Sequence, residues 1–395
     1  MDIHRGRNRQ PHTPQSVCIF GFYIGNALQG DVIGGAELQL ALLARAMAEK
    51  AIPVTVFDPE MNSNLRLGPF LTVNTVPGFY QGFRGLRVFT TRIPRLLNLL
   101  IAVGAGLYCT RGVSFLSLVV LLAARRNNAK YALALASDTE VEDFRARWNK
   151  SYKGGESLWT FLSTALPNEI ALPILKRWAD VLFVQNDYQY RRATSSGRQV
   201  IRLNNLIDNT LFSISPSITR KDIVVVGALS ARKSLDLLVP VVKELQHIKF
   251  NFIGRVEDPG GDSVRRELST LQNVVVHGQV GRVQTLQAMA GAKALVNTSL
   301  AEGFPNTFLE AWVLGTPVIS LFVDPGGVIE ANRLGYVCHG NLERFKGLIQ
   351  QASYDINLDH CRQYALTNHS VAHAVETIQS VLAGEARSGE SSEIS

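Results

Sequence analysis

Short apolar runs alternate along most of this chain with polar, glycine-bearing loops and amphipathic stretches. Uninterrupted runs of about four to eight apolar residues, bounded by turn residues, predict strands buried on both faces, as in a parallel sheet. Such strands are expected at 17–20, 52–57, 106–109, 130–136, 181–184 and 200–203, then at 222–226, 249–253, 274–277, 292–296 and 317–322. Between them, Leu38, Leu42, Leu43 and Met47 are spaced to bury one face of a helix at 36–50. Further helices are expected at 113–126, 157–178, 282–289 and 306–314, the last closed by Gly315 and Pro317. Helices fill 341–383. Strand and helix alternating in both halves predict an α/β protein with two Rossmann-like, doubly wound sheets.

At 395 residues the chain exceeds one ordinary domain, and two of roughly 180 residues each is the natural division. Ser213, Ser215, Pro216 and Ser217 mark a linker by composition at 210–221. This leaves a loose arm at 1–15, a first domain at 16–209, a second from 222 to 369, and a disordered tail at 385–395. The stretch 60–103 is the least readable. There Arg84, Arg87, Arg92 and Arg95 punctuate an apolar background, fitting either a peripheral contact with anionic lipid or an ordinary solvated helix face.

Composition narrows the partners. Lys plus Arg number 40 against 33 Asp plus Glu, which favours anionic partners such as nucleotides or phospholipid surfaces. No basic–aromatic platform points to nucleic acid. The four cysteines are scattered without a C-x-x-C pair, as expected of buried thiols in a reducing compartment. The polar, basic start is not expected to be a secretory leader. Arg111 divides the most apolar region, 96–124, into pieces shorter than the roughly 20 residues a membrane span needs, so a soluble or peripheral protein is expected.

Several stretches carry candidate chemistry. Gly34 and Gly35 precede the first long helix, but neither they nor GAGLYC at 104–109 make G-x-G-x-x-G, so no nicotinamide cofactor is indicated. After the 222–226 strand, Gly227 and a loop with Arg232 and Lys233 lead to a helix. Cations at a helix start oppose the helix dipole, which fits either a bound anion or two solvated loop cations. Glu302 and Glu310 stand eight positions apart, about 12 Å along a helix, whereas glycosidase acid/base pairs stand roughly 5–9.5 Å apart. They are either two binding carboxylates at different depths of one cleft, or a solvated loop Glu and a helix-start Glu. Asp138 and Glu140 form a D-x-E after a strand, which imitates a metal motif but is common turn and capping chemistry. No metal is expected there.

The segment EGFPNTFLEAWVLGTPVI at 302–319 resembles the E-x7-E signature of the retaining family-4 glycosyltransferases, which have the GT-B fold. GGAELQLALLARAMAEKAIPVTVF resembles their opening, ADVLFVQNDYQYRRA and NNLID the end of their first domain, and DIVVVGALSARKSL their Gly-Arg-Leu…Lys-Gly loop. The resemblance implies two facing domains with a cleft between them and a helix at 370–384 crossing back to the first. It gives Glu302 the donor sugar and Glu310 the nucleotide ribose. Gly303, Phe304, Pro305, Asn306 and Thr307 would approach the sugar and diphosphate, and Lys233 would grip the diphosphate. Ala228 stands where the family has Arg, leaving Arg232 as a stand-in, and Ser234 replaces the usual Gly. Gly227, Gly254, Arg255, Gly278 and Gln279 fall where the family holds the nucleotide. Gly34 and Gly35 would lie near the donor phosphates and the acceptor. No His-Asp pair occurs between 100 and 145, which leaves Arg111 or Asp138 to face the cleft. The implied activity is metal-independent, retaining transfer from a UDP- or GDP-sugar, with no separate cofactor. The implied acceptor is a saccharide or lipid-linked sugar in surface polysaccharide or glycoconjugate synthesis, in the cytoplasm or at the inner membrane face. The alternatives are a catalytically silent GT-B protein that binds a glycan or nucleotide, and a GT-B nucleotide-sugar epimerase.

Overall fold

The structure, a computed structural model, describes residues 13–31, 34–82, 87–151, 165–195, 197–215, 220–351 and 353–385. Arg84, residues 1–12 of the expected arm, 157–164 of an expected helix, 216–219 of the linker and the tail from 386 lie outside the described residues.

The first sheet is built from β1 (Thr13–Phe20), β2 (Val54–Phe57), β3 (Leu65–Arg66), β4 (Leu71–Asn74), β5 (Ala105–Arg111), β6 (Lys130–Ala134), β7 (Val181–Val184) and β8 (Gln199–Arg202). Their order is β3-β4-β2-β1-β5-β6-β7-β8, parallel except for the short antiparallel edge pair β3–β4. The second sheet takes β9 (Lys221–Val226), β10 (Phe250–Ile253), β11 (Val274–Gly278), β12 (Ala292–Asn297), β13 (Val318–Ser320) and β14 (Gly335–Val337). Its order is β11-β10-β9-β12-β13-β14, all parallel. The chain winds one way from β9 and the other way from β12, so the switch point lies between these neighbours. In open α/β sheets ligands settle at the carboxyl ends beside such a point.

Each sheet carries a core on both faces, which is why its strands read as unbroken apolar runs. The Asn306–Leu314 helix, between β12 and β13, begins after Pro305 and ends at Gly315, whose φ of +68° is the left-handed cap expected of Gly. The Val371–Ala383 helix belongs to the first domain's core, where Ala374, Val375, Ile378 and Val381 join Val17, Ile19, Ala44 and Met47. Lys130 Nζ donates to the carbonyl of Val381 at its far end.

The structure corrects several expected boundaries. The 113–126 helix starts only at Ser117, because the amides of Val113 and Phe115 are taken by the side chains of Glu140 and Asn168. The 317–322 strand is only Val318–Ser320. The Pro259–Leu268 helix was hidden by its Gly-Gly-Asp-Ser start, which Asp258 caps by accepting from the Gly261 amide. In the unreadable 60–103 stretch, β3 and β4 form the sheet edge and a wide turn at Val88–Arg92 leads into the Ile93–Val103 helix. There Arg87, Arg92 and Arg95 donate to the carbonyls of Tyr80, Phe79 and Pro77, and Arg92 also lies 4.8 Å over the Phe79 ring. All four cysteines are buried and free. Among the described residues, no helix is long and apolar enough to cross a membrane.

Ile378→Ala should lower stability by about 2–5 kcal/mol, the cost of emptying a fully buried aliphatic site. A urea-denaturation midpoint equal to that of the parent chain would show that this helix does not share the first domain's core.

Candidate functional site

At the carboxyl ends of the second sheet three glycines stand side by side. Gly227, Gly254 and Gly278 follow or end β9, β10 and β11, with φ of +146°, +155° and +68°. Gly227 N donates to Ile253 O at 2.9 Å and Gly254 N to Gly278 O at 2.8 Å. A Cβ on Gly254 would overlap the Gly227 carbonyl, whereas one on Gly227 would meet the Lys233 stem only at ordinary contact, 3.4 Å. Gly254 lets two strand ends approach closely, and all three glycines hold positive φ that other residues rarely adopt. Ser234 adopts φ +48°, the backbone that favours Gly, at the position where the family resemblance expects one.

The β9 and β12 loops emerge next to each other, and their charged residues meet. Lys233 Nζ donates to Glu302 Oε1, both side chains about one-fifth exposed. The Thr298 hydroxyl donates to the Lys233 carbonyl at 2.8 Å and braces the two loops. Burial alone would raise the Glu302 carboxyl's pKa. The Lys233 charge and hydrogen bond, with Ser299 and the more distant Arg232, outweigh it and hold the carboxyl below its usual range. Arg232 itself turns outward: it is 65% exposed and its Nη2 lies 3.8 Å from Glu257, which also pairs with Arg255 at 3.0 Å. Gln279 is exposed just beyond β11.

Glu310 is buried and occupied. Its Oε1 lies 2.7 Å from Arg282 Nη1, and Arg282 Nε donates to Asp208 Oδ2 at 3.1 Å. The two carboxylates more than offset the effect of burial and raise the arginine's pKa. Asp208 is placed by its other oxygen, which caps the Thr210 amide at 3.0 Å.

The loop between the two glutamates docks on the first domain. The Gly303 carbonyl accepts from Asn186 Nδ2 at 2.8 Å and the Phe304 carbonyl from Asn205 Nδ2 at 2.8 Å. Asn306 Nδ2 donates to the Gly35 carbonyl at 3.0 Å, while its Oδ1 accepts from Gln39 at 3.1 Å and Asn205 at 2.8 Å. Gly35 opens the Gly35–Glu49 helix and Gly34 is its N-cap. Pro305 is buried as the N-cap of the 306–314 helix, and Thr307 is half-buried in its first turn. The Phe304 ring sits 4.8 Å from that of His369, which burial keeps neutral by lowering its pKa to about 4.

Arg111 and Asp138 lie at the ends of β5 and β6. Arg111 Nη2 donates to Gln185 at 2.9 Å and Asn205 at 2.6 Å, and burial lowers its pKa to about 10. Asp138 Oδ1 accepts from Asn186 and Gln189 at 2.8 and 2.9 Å. Glu140, second in the D-x-E, is consumed in capping: it accepts from the amides of Ala136, Ser137 and Val113. Among the described residues, no group of three or more His, Cys, Asp or Glu is placed to hold a metal ion.

Thus Lys233 and Glu302 are in direct contact, Asn306 adjoins Gly35 while Gly303 and Phe304 meet Asn186 and Asn205, and Arg111 and Asp138 reach the same junction through amide side chains. Arg232 and Arg255 gather instead around Glu257. Sequence reasoning missed Asp208, Arg282 and the amide set Gln39, Gln185, Asn186 and Asn205. Asp208 had a signal, as the last residue of Asn-Asn-Leu-Ile-Asp, but nothing local tied it to Arg282.

Residues 220–353 match the family model described as glycosyl transferases group 1, which spans most of the second domain. No curated protein matches the chain by sequence. Among solved structures, sucrose-phosphate synthase from Thermosynechococcus elongatus superposes with a TM-score of 0.68 at 16% identity, covering 94% of this chain and 97% of that one. Anabaena HepE in complex with UDP and glucose gives 0.65 at 15% identity, over 94% and 100% of the two chains. WaaG, a glycosyltransferase involved in lipopolysaccharide biosynthesis, gives 0.63 at 14% identity, over 93% and 100%. At such identities the likeness is one of architecture: two parallel-sheet, Rossmann-like domains arranged as in GT-B glycosyltransferases.

Proposed function

We propose that the chain is a retaining glycosyltransferase that moves a sugar from a nucleotide-sugar to a saccharide or lipid-linked acceptor. The observation that carries this reading is the Lys233–Glu302 pair at the β9/β12 switch point, one turn of chain from the Asn306–Leu314 helix that bears Glu310. The match of residues 220–353 to the group 1 model supports it. HepE, of like fold, was solved with UDP-glucose, and a UDP- or GDP-sugar is the donor class proposed here.

The chemistry follows from charge. As the C1–O bond of the donor breaks, negative charge accumulates on the leaving diphosphate. Lys233 leaves its carboxylate partner to meet that charge, joined by the amides at the start of the 306–314 helix. Glu302, released, faces the sugar hydroxyls, and Glu310 holds the ribose diol. The leaving phosphate takes the acceptor's proton on the same face, so the anomeric configuration is retained without a protein nucleophile. With a lysine and amides stabilising the phosphates, the proposed reaction is metal-independent. One observation favours a silent binder instead: Ala228 replaces the expected arginine and Arg232 points to Glu257. Transfer assays with a panel of nucleotide-sugars separate the two.

Glu310→Ala should abolish detectable transfer and sharply weaken nucleotide binding, and near-normal transfer would remove Glu310 from the site. Lys233→Ala should lower turnover about 100- to 1000-fold with a smaller change in KM. Steady-state kinetics reads both. Transfer should survive EDTA treatment, and loss restored by a divalent cation would overturn the metal-independent mechanism.

The pH dependence has a definite sign. The Glu302 carboxyl is held below its usual range, so its contribution to stability is present above the unfolded value of about 4.3. It is lost as the pH falls through the lower folded value. Stability measured against pH in Glu302→Gln should therefore fall less steeply in acid than in the parent chain, and parallel curves would refute the coupling.

A further inference from the structure

We propose that Arg282 is a positioning residue: it sets the Glu310 carboxylate for the ribose hydroxyls, while Asp208 fixes it to the segment that crosses between the domains. The inference rests on the reading of Glu310 as the ribose-binding acid, and adds the device that orients it.

The contacts form a chain that starts in backbone. Asp208 Oδ1 accepts from the amide and hydroxyl of Thr210 at 3.0 and 2.8 Å, which fixes the carboxylate. Its Oδ2 takes Arg282 Nε at 3.1 Å, and Arg282 Nη1 then lies 2.7 Å from Glu310 Oε1. All three side chains are about nine-tenths buried, with 11, 10 and 6% exposure for Arg282, Asp208 and Glu310. A planar guanidinium spans two acids at fixed angles, which a lysine cannot do.

Stability does not account for the arrangement. Arg282 is the first residue of the Arg282–Ala290 helix, where a cation opposes the dipole. Two carboxylates and one guanidinium out of water offer little net stability, since desolvation offsets the attraction. The guanidinium is also left incomplete: among the described residues Nη2 is buried without a partner, a further cost that a purely stabilising role would not carry. Arg282, Asp208 and Thr210 line one side of a cavity of about 160 Å³, with Leu38, Ala41 and Leu42 of the first domain opposite. The Asp208–Arg282 end of the clamp therefore borders open space at the domain junction, and the guanidinium reaches from that cavity wall to Glu310.

The test is calorimetric binding of UDP and GDP and of their 2′,3′-dideoxy forms to the full chain, with thermal unfolding to check each variant. The variants are Arg282→Gln, Arg282→Lys, Glu310→Gln and the Arg282→Gln/Glu310→Gln double. Arg282→Gln should weaken the ribonucleoside diphosphate about 10- to 100-fold and the dideoxy form by no more than about twofold. The double variant should bind no more weakly than Glu310→Gln alone, because Arg282 acts through Glu310. Equal weakening of both nucleotide forms, or additive losses in the double variant, would overturn the clamp. If Arg282→Gln does not fold, Arg282→Lys, which keeps the charge but not the fork, carries the same comparison with a smaller ribose-dependent loss. A parent chain that binds neither UDP nor GDP in any form rejects the donor-site reading itself. A parent chain that binds, with an Arg282 effect indifferent to the ribose hydroxyls, rejects only the clamp.

Discussion

β9 and β12 are neighbours whose connections leave in opposite directions, and that adjacency governs the site. It forces the loop with Lys233 and the loop with Glu302 to emerge side by side. Two opposite charges brought together in a partly dry crevice satisfy one another, and each would be costly there alone. The same crevice is walled by strand ends that carry glycine, so backbone rather than side-chain bulk meets whatever enters. A ligand with its own negative charge competes directly for the lysine. In the reaction proposed above, the ion pair is the resting arrangement and the donor diphosphate its exchange partner.

The two domains are joined by different kinds of contact. On one side the Val371–Ala383 helix buries aliphatic side chains in the first domain's core, a contact that water cannot replace. On the other side, at the 303–306 loop, the junction is made of amides: Asn186, Asn205, Asn306 and Gln39 bonded to carbonyls and to each other. The net worth of such bonds is small, since opening exchanges them for bonds to water. The apolar tether and the polar clasp suit a cleft that stays assembled while its mouth exchanges partners. The Asp208–Arg282–Glu310 chain runs from the crossover segment into the same region, so on the proposed reading a ligand that engages Glu310 also acts on that segment.

Much of the architecture was legible because parallel strands buried on both faces leave continuous apolar runs, and β7, β9, β10 and β12 stand within a residue or so of where those runs predict them. The Asn306–Leu314 helix was legible for a different reason, its ends being written in Pro305 and Gly315. Elements without such signals were not. The Pro259–Leu268 helix opens with two glycines and depends on Asp258 for its cap, and the 113–126 helix loses its first turn to side chains of Glu140 and Asn168. The arginines near 90 read either as a lipid-facing set or as a solvated helix face, and no local signal pointed to the 77–81 turn whose carbonyls Arg87, Arg92 and Arg95 hold.

The amino-acid order alone determined the fold class and the residue types gathered near the strand ends, because burial period and turn chemistry are local and act within a few positions. Which of those residues touch was decided only in three dimensions. Glu310 reads as a ligand-facing or helix-start acid from its neighbours, yet it lies buried against Arg282. Arg232 and Lys233 are adjacent in the chain and diverge in space, one to Glu257 and the other to Glu302. Strand order and loop direction set those pairings, and both arise from contacts between segments far apart along the chain, which no local pattern encodes.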